Sequence, residues 1–183
     1  MKLVLIGIQG AGKSTQGNLL AEKYDIPYLS SGHIFRQIAQ EKTKMGRWVK
    51  ETMNSGALIP DDVTLDIVLS YLKRPEYEKG YILDGFPRTV AQAEAFNGTI
   101  DATIFLDVSD REALWRISGR EQIREDETLQ AIRKRIGLFH ELTSPVIDYY
   151  AQIGKLIKVD GEKDVAEVLR EIVSSLTARI KTK

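Results

Sequence analysis

Apolar residues gather in five short runs, at residues 3–6, 28–29, 81–83, 103–108 and 156–159, with longer stretches of helical periodicity between them. Most of the runs are continuous rather than alternating, as strands are when helices cover both faces of a parallel sheet. An α/β fold is the expectation. Val63, Ile67, Val68, Tyr71 and Leu72 fall on one helical face, and Val165, Val168, Leu169, Ile172, Val173 and Leu176 form a stripe near the end of the chain. Ser109 and Glu112 have capping-box spacing and fix a helix start ahead of Ala113 and Leu114.

Two segments depart from this pattern. Residues 30–59 are helical in composition and poor in strand signal, with breaks expected at Gly46 and at Ser55-Gly56 and a helix restarting at Pro60-Asp61-Asp62. They read as a helical excursion over the sheet. Residues 119–126 carry Arg120, Glu121, Arg124, Glu125 and Asp126 with almost nothing apolar, a solvated turn unless a binding site uses its arginines.

The first run leads directly into Gly7, Ile8, Gln9, Gly10, Ala11, Gly12, Lys13 and Ser14, a full Gly-x4-Gly-Lys-Ser/Thr loop in strand-loop-helix context. Its glycines let successive backbone N–H groups converge on a polyphosphate, and the following helix adds the positive end of its dipole. Lys13 reaches toward the β and γ phosphates, and the Ser14 hydroxyl suits Mg²⁺.

With 183 residues the chain can bury one sizeable core but not a second independent domain. Lys and Arg total 26, as do Asp and Glu, so nothing in the global charge suggests nucleic acid or an anionic membrane as partner. The sequence has no cysteine, which removes disulfides, thiol catalysis and cysteine-bound zinc. Met1 runs straight into the first strand, and no apolar stretch approaches ~20 residues, so a cytosolic protein is expected.

Tyr81, Ile82 and Leu83 lead to Asp84, an acid at the carboxyl end of a buried strand, where P-loop proteins hold the carboxylate on the Mg²⁺ side. Gly85, Phe86 and Pro87 then force an irregular loop at the sheet edge where open α/β folds bind ligands, and Arg88 is aimed into that crevice. Arg36, Arg116, Arg120, Arg124 and Arg135 add further positive charge. A phosphate acceptor is already an anion and needs no general base, so a lysine, Mg²⁺ and several arginines point to transfer between phosphates.

These motifs together resemble the adenylate kinase family along almost the whole chain. The resemblance is carried by Gly7 to Gln16, Ser30-Ser31-Gly32 with Phe35-Arg36, Asp84-Gly85-Phe86-Pro87-Arg88-Thr89 with Gln92, Arg116 with Gly119-Arg120, Arg124 with Asp126, Arg133-Lys134-Arg135, Ser144-Pro145 with Tyr149-Tyr150, and Val159-Asp160-Gly161 with Lys163. It implies a P-loop NTPase-like three-layer fold with a five-stranded parallel sheet. The core (1–29, 60–119 and 127–183) would carry a mobile AMP-binding insert at 30–59 and a very short lid at 120–126. The implied reaction is reversible transfer from Mg²⁺-bound ATP to AMP, giving two ADP, by a monomer.

On the ATP side the resemblance assigns Gly10, Ala11, Gly12, Lys13, Ser14 and Thr15 to the phosphates, Arg116 to the adenine face and the Lys163 carbonyl to its amino group. On the AMP side Arg36 and Arg88 would grip the phosphate and Gln92 would read the adenine edge. Met53 would pack on the base, with Ser31 and the backbone of Ala57, Ile59 and Gly85 nearby. Arg120, Arg124 and Arg135 would close on the transferring group, and Ser14 and Asp84 would hold magnesium, Asp84 through water.

The departures also inform. Only Glu121, Gln122 and Ile123 separate Arg120 from Arg124, so the lid is of the short type without zinc. Ile8, Gln9 and Ser14 replace the Ala, Pro and Gly usual in the family's loop, and His33 stands where an aspartate near the magnesium waters is usual. A capping or packing role for His33 is the other reading. His140, on the face of Ile132 and Ile136, reads as structural. Two alternatives stay open: a UMP/CMP kinase sharing the arginines, and a non-catalytic nucleotide switch, which would have no use for an AMP clamp.

Overall fold

The computed structural model describes residues 1–96, 100–119 and 126–181. In chain order the elements are β1 Lys2–Ile6, α1 Lys13–Tyr24, β2 Tyr28–Ser30, α2 Ser31–Gln40, α3 Lys44–Asn54, α4 Asp61–Leu72, β3 Tyr81–Asp84, α5 Val90–Ala95, β4 Ala102–Asp107, α6 Asp110–Ser118, α7 Leu129–Leu138, α8 Ser144–Gln152, β5 Leu156–Asp160 and α9 Val165–Lys181. The strands among the described residues form one parallel sheet in the order β2-β3-β1-β4-β5. The chain therefore builds one side of β1 first and then crosses to the other. The connections that leave the carboxyl ends of the neighbouring strands β1 and β3 run in opposite directions, to β2 and to β4, and open a crevice there.

Continuous apolar strands make sense where a strand serves two cores, as β1, β3 and β4 do, whereas β5 at the sheet edge alternates buried Ile157 and Val159 with exposed Lys158 and Asp160. Leu3 and Leu5 of β1 pack on one face with Leu20 of α1 and Val168, Ile172 and Leu176 of α9. Val4 and Ile6, pointing the other way, pack with Val68 of α4, Ala93 of α5 and Val146 and Tyr150 of α8. A third, smaller cluster of Phe35, Val49 and Ile59 holds α2 and α3 to the start of α4.

Three local expectations are corrected. The α4 stripe serves two clusters: Val63 packs only in the small one, Val68, Tyr71 and Leu72 pack on the sheet, and Ile67 touches both. Val165 is 52 % exposed and stays outside the core that the rest of the α9 stripe enters. Gly46 does not break a helix: it lies in the first turn of α3, its amide capped by the Thr43 hydroxyl. A Cβ there would lie 2.3 Å from the Glu41 carbonyl oxygen, so glycine is needed for close approach to the end of α2.

The start of α6 is half as expected. Ser109 accepts from the Glu112 amide, but the Ser109 amide donates to Glu162 Oε1 at 2.9 Å rather than to Glu112. Hydrogen bonds from Ser109 hold the Glu162 carboxyl below its ordinary range, and Glu112 is left for Arg116. His140 pairs on the surface with Asp110 at 2.9 Å, tying the turn after α7 to α6. Among the described residues no helix is long and apolar enough to cross a membrane.

Gly17 of α1 faces Tyr28, whose hydroxyl donates to Asp84 at 2.7 Å, and a Cβ on Gly17 would lie 2.3 Å from the Tyr28 ring. Gly17→Ala should therefore destabilise the fold by about 1–3 kcal/mol even though alanine favours helix by up to ~1 kcal/mol. Urea unfolding should show a lower midpoint at unchanged slope.

Candidate active site

The loop after β1 is shaped by two left-handed glycines, Gly10 at φ 95° and Gly12 at φ 88°. Gly10 also has no room for a side chain, since a Cβ would lie 2.5 Å from the Ala113 carbonyl oxygen of α6. Gly12 is the N-cap of α1 and offers no side-chain cap, and no acidic residue occupies the first turn. The leading N–H groups of a 12-residue helix are thus presented without a side-chain anion of their own. Lys13 Nζ donates to the Gly7 and Ile8 carbonyls at 2.7 and 3.0 Å, lying back over the loop it belongs to.

Asp84 ends β3 beside Leu5 of β1, two residues before the loop begins. Its Oδ2 accepts from Tyr28 Oη, while Oδ1 is buried with no hydrogen-bond partner among the described residues. Gly85 follows at φ 77°, where a Cβ would come within 2.7 Å of Ser31 Oγ and 3.1 Å of Arg88 Nη2. Arg88 is pinned by its Nε to the Gly85 carbonyl at 2.7 Å, and its own carbonyl accepts from Thr143 Oγ1 at 2.9 Å. Thr143 owes that reach to a turn of π-helix, Phe139–Thr143, between α7 and α8.

Burial pulls the Arg88 guanidinium below its ordinary range; Asp84 opposes this, Arg135 and Arg36 deepen it, and Asp126 opposes it again. Arginine keeps its proton, so the physical content is a cation that an arriving anion would relieve. Arg135 of α7 pairs with buried Asp126 at 2.6 Å and also donates to the Met53 carbonyl of α3 at 2.9 Å. Arg36 lies over Gly32, whose Cβ would be 3.4 Å from Nη1.

A cavity of about 900 Å³ joins these groups. Its wall includes Gly10, Gly12, Lys13, Ser14 and Thr15 at one end and Ser31, Arg36, Met53, Ala57, Ile59, Gly85, Arg88 and Gln92 at the other. Asp84, Arg116 and Arg135 line it as well, and so does His33, whose side chain is exposed and whose amide is capped by Ser30. A second cavity of about 370 Å³ is lined by Ala11, Gly12, Thr15, Trp115, Arg116, Gly161 and Lys163 among others. Arg116 is immobilised there between Glu112 Oε1 at 2.7 Å and the Gly161 carbonyl at 2.9 Å. Arg120 and Arg124 lie outside the described residues.

Residue-by-residue sequence reading missed Asp61 as anything beyond a helix start. Its Oδ1 accepts from Gln92 Nε2 at 2.8 Å and its Oδ2 from Thr89 Oγ1 at 2.7 Å. The only sequence signal was an aspartate directly after Pro60, and helix N-termini carry such residues for electrostatic reasons alone.

A phosphate loop at the end of the central strand, an acid on the neighbouring strand and arginines facing them across one cavity define a P-loop kinase whose acceptor is itself a phosphate. The family profile described as adenylate kinase matches residues 5–155. An adenylate kinase of Stenotrophomonas maltophilia is 40% identical over 187 residues, covering 97% of this chain and 100% of the relative. Adenylate kinases of Lachnoclostridium phytofermentans and Methanosarcina barkeri are each 36% identical, over 212 and 211 residues, with 96% of this chain and 98% of each relative covered. The chain belongs to the adenylate kinase family and is a nucleoside monophosphate kinase. The two longer alignments exceed its 183 residues, so those relatives carry segments that it lacks.

The cluster of Arg36, Arg88 and Arg135 should make the fold respond to simple anions. Sulfate at tens of millimolar should raise Tm by a few degrees over chloride at equal ionic strength, through binding to the folded state alone. Arg88→Ala should lose most of that difference, which separates site binding from the general salting effect of sulfate.

Proposed function

We propose that this chain transfers the terminal phosphoryl group of ATP to AMP and back, with the donor on the P-loop side of the cavity and the acceptor between α2, α3 and the loop after β3. The observation that carries this is the second cationic pocket: Arg36, Arg88 and Arg135 share one wall-to-wall space with the Lys13 loop. A switch that only senses ATP has no use for it.

In this reading Lys13 leaves the carbonyls of Gly7 and Ile8 for phosphate oxygens, a charge-assisted bond of roughly twice the strength of a neutral one. Gly10, Ala11, Gly12, Ser14 and Thr15 supply N–H groups to the same phosphates, and Arg116 and the Lys163 backbone take the adenine. Arg36 and Arg88 hold the acceptor phosphate in line, and Arg135, with Arg120 and Arg124 from the short lid at 120–126, neutralises charge on the group in flight. Met53, Ala57 and Ile59 wall the acceptor base, and Gln92 meets its polar edge. The insert at 30–59 and the lid are the parts that would move.

Adenylate kinases use Mg²⁺-bound ATP, and the residues here fit that ion. The orphaned Oδ1 of Asp84 and the Ser14 hydroxyl line one cavity, a hard-oxygen set suited to magnesium held mostly by phosphate and water. When bound, the ion would offset phosphate charge. The sequence offers no thiolate for a zinc staple, so zinc has no part in the reading. In this reading the chain acts as a monomer in the cytoplasm, where adenine nucleotides turn over.

The deciding experiment is an acceptor panel of AMP, CMP, UMP and GMP with ATP and Mg²⁺, followed by ADP formation. AMP should be preferred by at least about tenfold in kcat/KM, and equal use of UMP or CMP would move the assignment to the pyrimidine kinases. Lys13→Ala should fold normally and lose about 10³-fold in kcat, because the lost contact acts where charge shifts during transfer.

A further inference from the structure

Gln92 is 2 % exposed, and its amide is tied at both ends by groups that can act in only one sense. The Arg88 backbone N–H, a donor only, gives its hydrogen to Gln92 Oε1 at 2.7 Å, while the Asp61 carboxylate takes one from Gln92 Nε2 at 2.8 Å. Asp61 is itself held on its other oxygen by Thr89 Oγ1 at 2.7 Å, and the same hydroxyl accepts from the Gln92 amide at the start of α5. The side chain of Asp61 is therefore anchored in α4 and clamped by the residue that caps α5. What remains on the Gln92 side-chain amide is one N–H and one lone pair of Oε1, on a side chain that lines the acceptor end of the cavity.

We propose that Asp61 is a positioning residue for base selection: it fixes the Gln92 amide so that an N–H donor and a carbonyl acceptor face the acceptor base in one order and not the other. This rests on the reading that Gln92 meets that base. Adenine presents a ring-nitrogen acceptor beside an amino donor on the matching edge and satisfies the pair. Hypoxanthine presents the reverse, a ring N–H beside an oxo group, so each of its groups meets its own kind. A free glutamine could flip to suit either base. With Asp61 in place the flip costs an acceptor for Nε2 and sets two N–H groups, Nε2 and that of Arg88, against each other.

AMP and IMP differ in that edge alone and serve as the probes. The unmodified enzyme should prefer AMP by more than about 100-fold in kcat/KM, as sites with committed buried polar groups do. Asp61→Ser and Asp61→Ala should cut the AMP/IMP ratio by about tenfold, chiefly through a higher KM for AMP, with the KM for ATP within about twofold of normal. One variant keeps a short polar side chain in the first turn of α4 and the other is the best helix former, so either one that keeps a cooperative thermal transition suffices. Asp61→Asn, which still offers Gln92 an oxygen, should restore most of the ratio. A folded serine or alanine variant with unchanged AMP KM and ratio overturns the proposal, as does an asparagine variant as impaired as serine. Gln92→Ala separates the two ideas: if the ratio collapses there but not in the Asp61 variants, Gln92 reads the base without Asp61, and if it persists there, the reading of Gln92 falls first.

Discussion

Positive charge that must be held close together and yet stay available is the constraint on which this site depends. Lys13, Arg88, Arg116 and Arg135 come from different elements, and each donates to a backbone carbonyl: those of Gly7 and Ile8, Gly85, Gly161 and Met53. A carbonyl satisfies the donor without neutralising the charge. A carboxylate in every case would bind each cation more tightly and leave the site with little attraction for phosphate. Carboxylates join as well, as Asp126 on Arg135 and Glu112 on Arg116, where they orient a guanidinium that still lines a cavity. Mutual repulsion among Arg36, Arg88 and Arg135 then becomes part of the binding free energy released when an anion enters.

The sheet makes that crowding sustainable. β1, β3 and β4 are buried on both faces, so the carboxyl edge of β1 and β3 is fixed by two cores at once. Asp84 and the phosphate loop lie on neighbouring strands, and no flexible connection sets their relative position. The glycines at positions 10 and 85 do the remaining shaping. Each allows a backbone turn that a side chain would block, one against α6 and the other against Ser31 and Arg88.

How much of this was legible in the sequence follows the range of the interactions involved. The strands were legible because burial on both faces writes itself into consecutive apolar residues, and the phosphate loop because its glycines answer to local backbone geometry. Gly46 was misread for the complementary reason. A glycine required by a neighbouring helix looks the same in sequence as one that ends its own. The partner of the Ser109 amide was missed because Glu162 is 53 residues away, whereas the capping-box pattern sees only Glu112. Asp61 met Gln92 and Thr89 across 31 and 28 residues, and nothing local to Pro60-Asp61 marks that meeting.

The contacts of α7 bind the two ends of the site into one device. Gly56, just after α3, sits so close to α7 that a Cβ would lie 2.7 Å from the Ala131 carbonyl oxygen, and Arg135 of the same helix reaches the Met53 carbonyl. Arg135 also holds Asp126, and Glu127 beside it accepts from Gln9 of the phosphate loop at 2.7 Å. A phosphate drawing Arg135 toward itself competes with the bonds to Met53 and Asp126 together. Those two bonds sit at the end of α3 and just ahead of α7 respectively. Arg135 therefore links α3 to the segment just before α7 through one guanidinium that also lines the cavity.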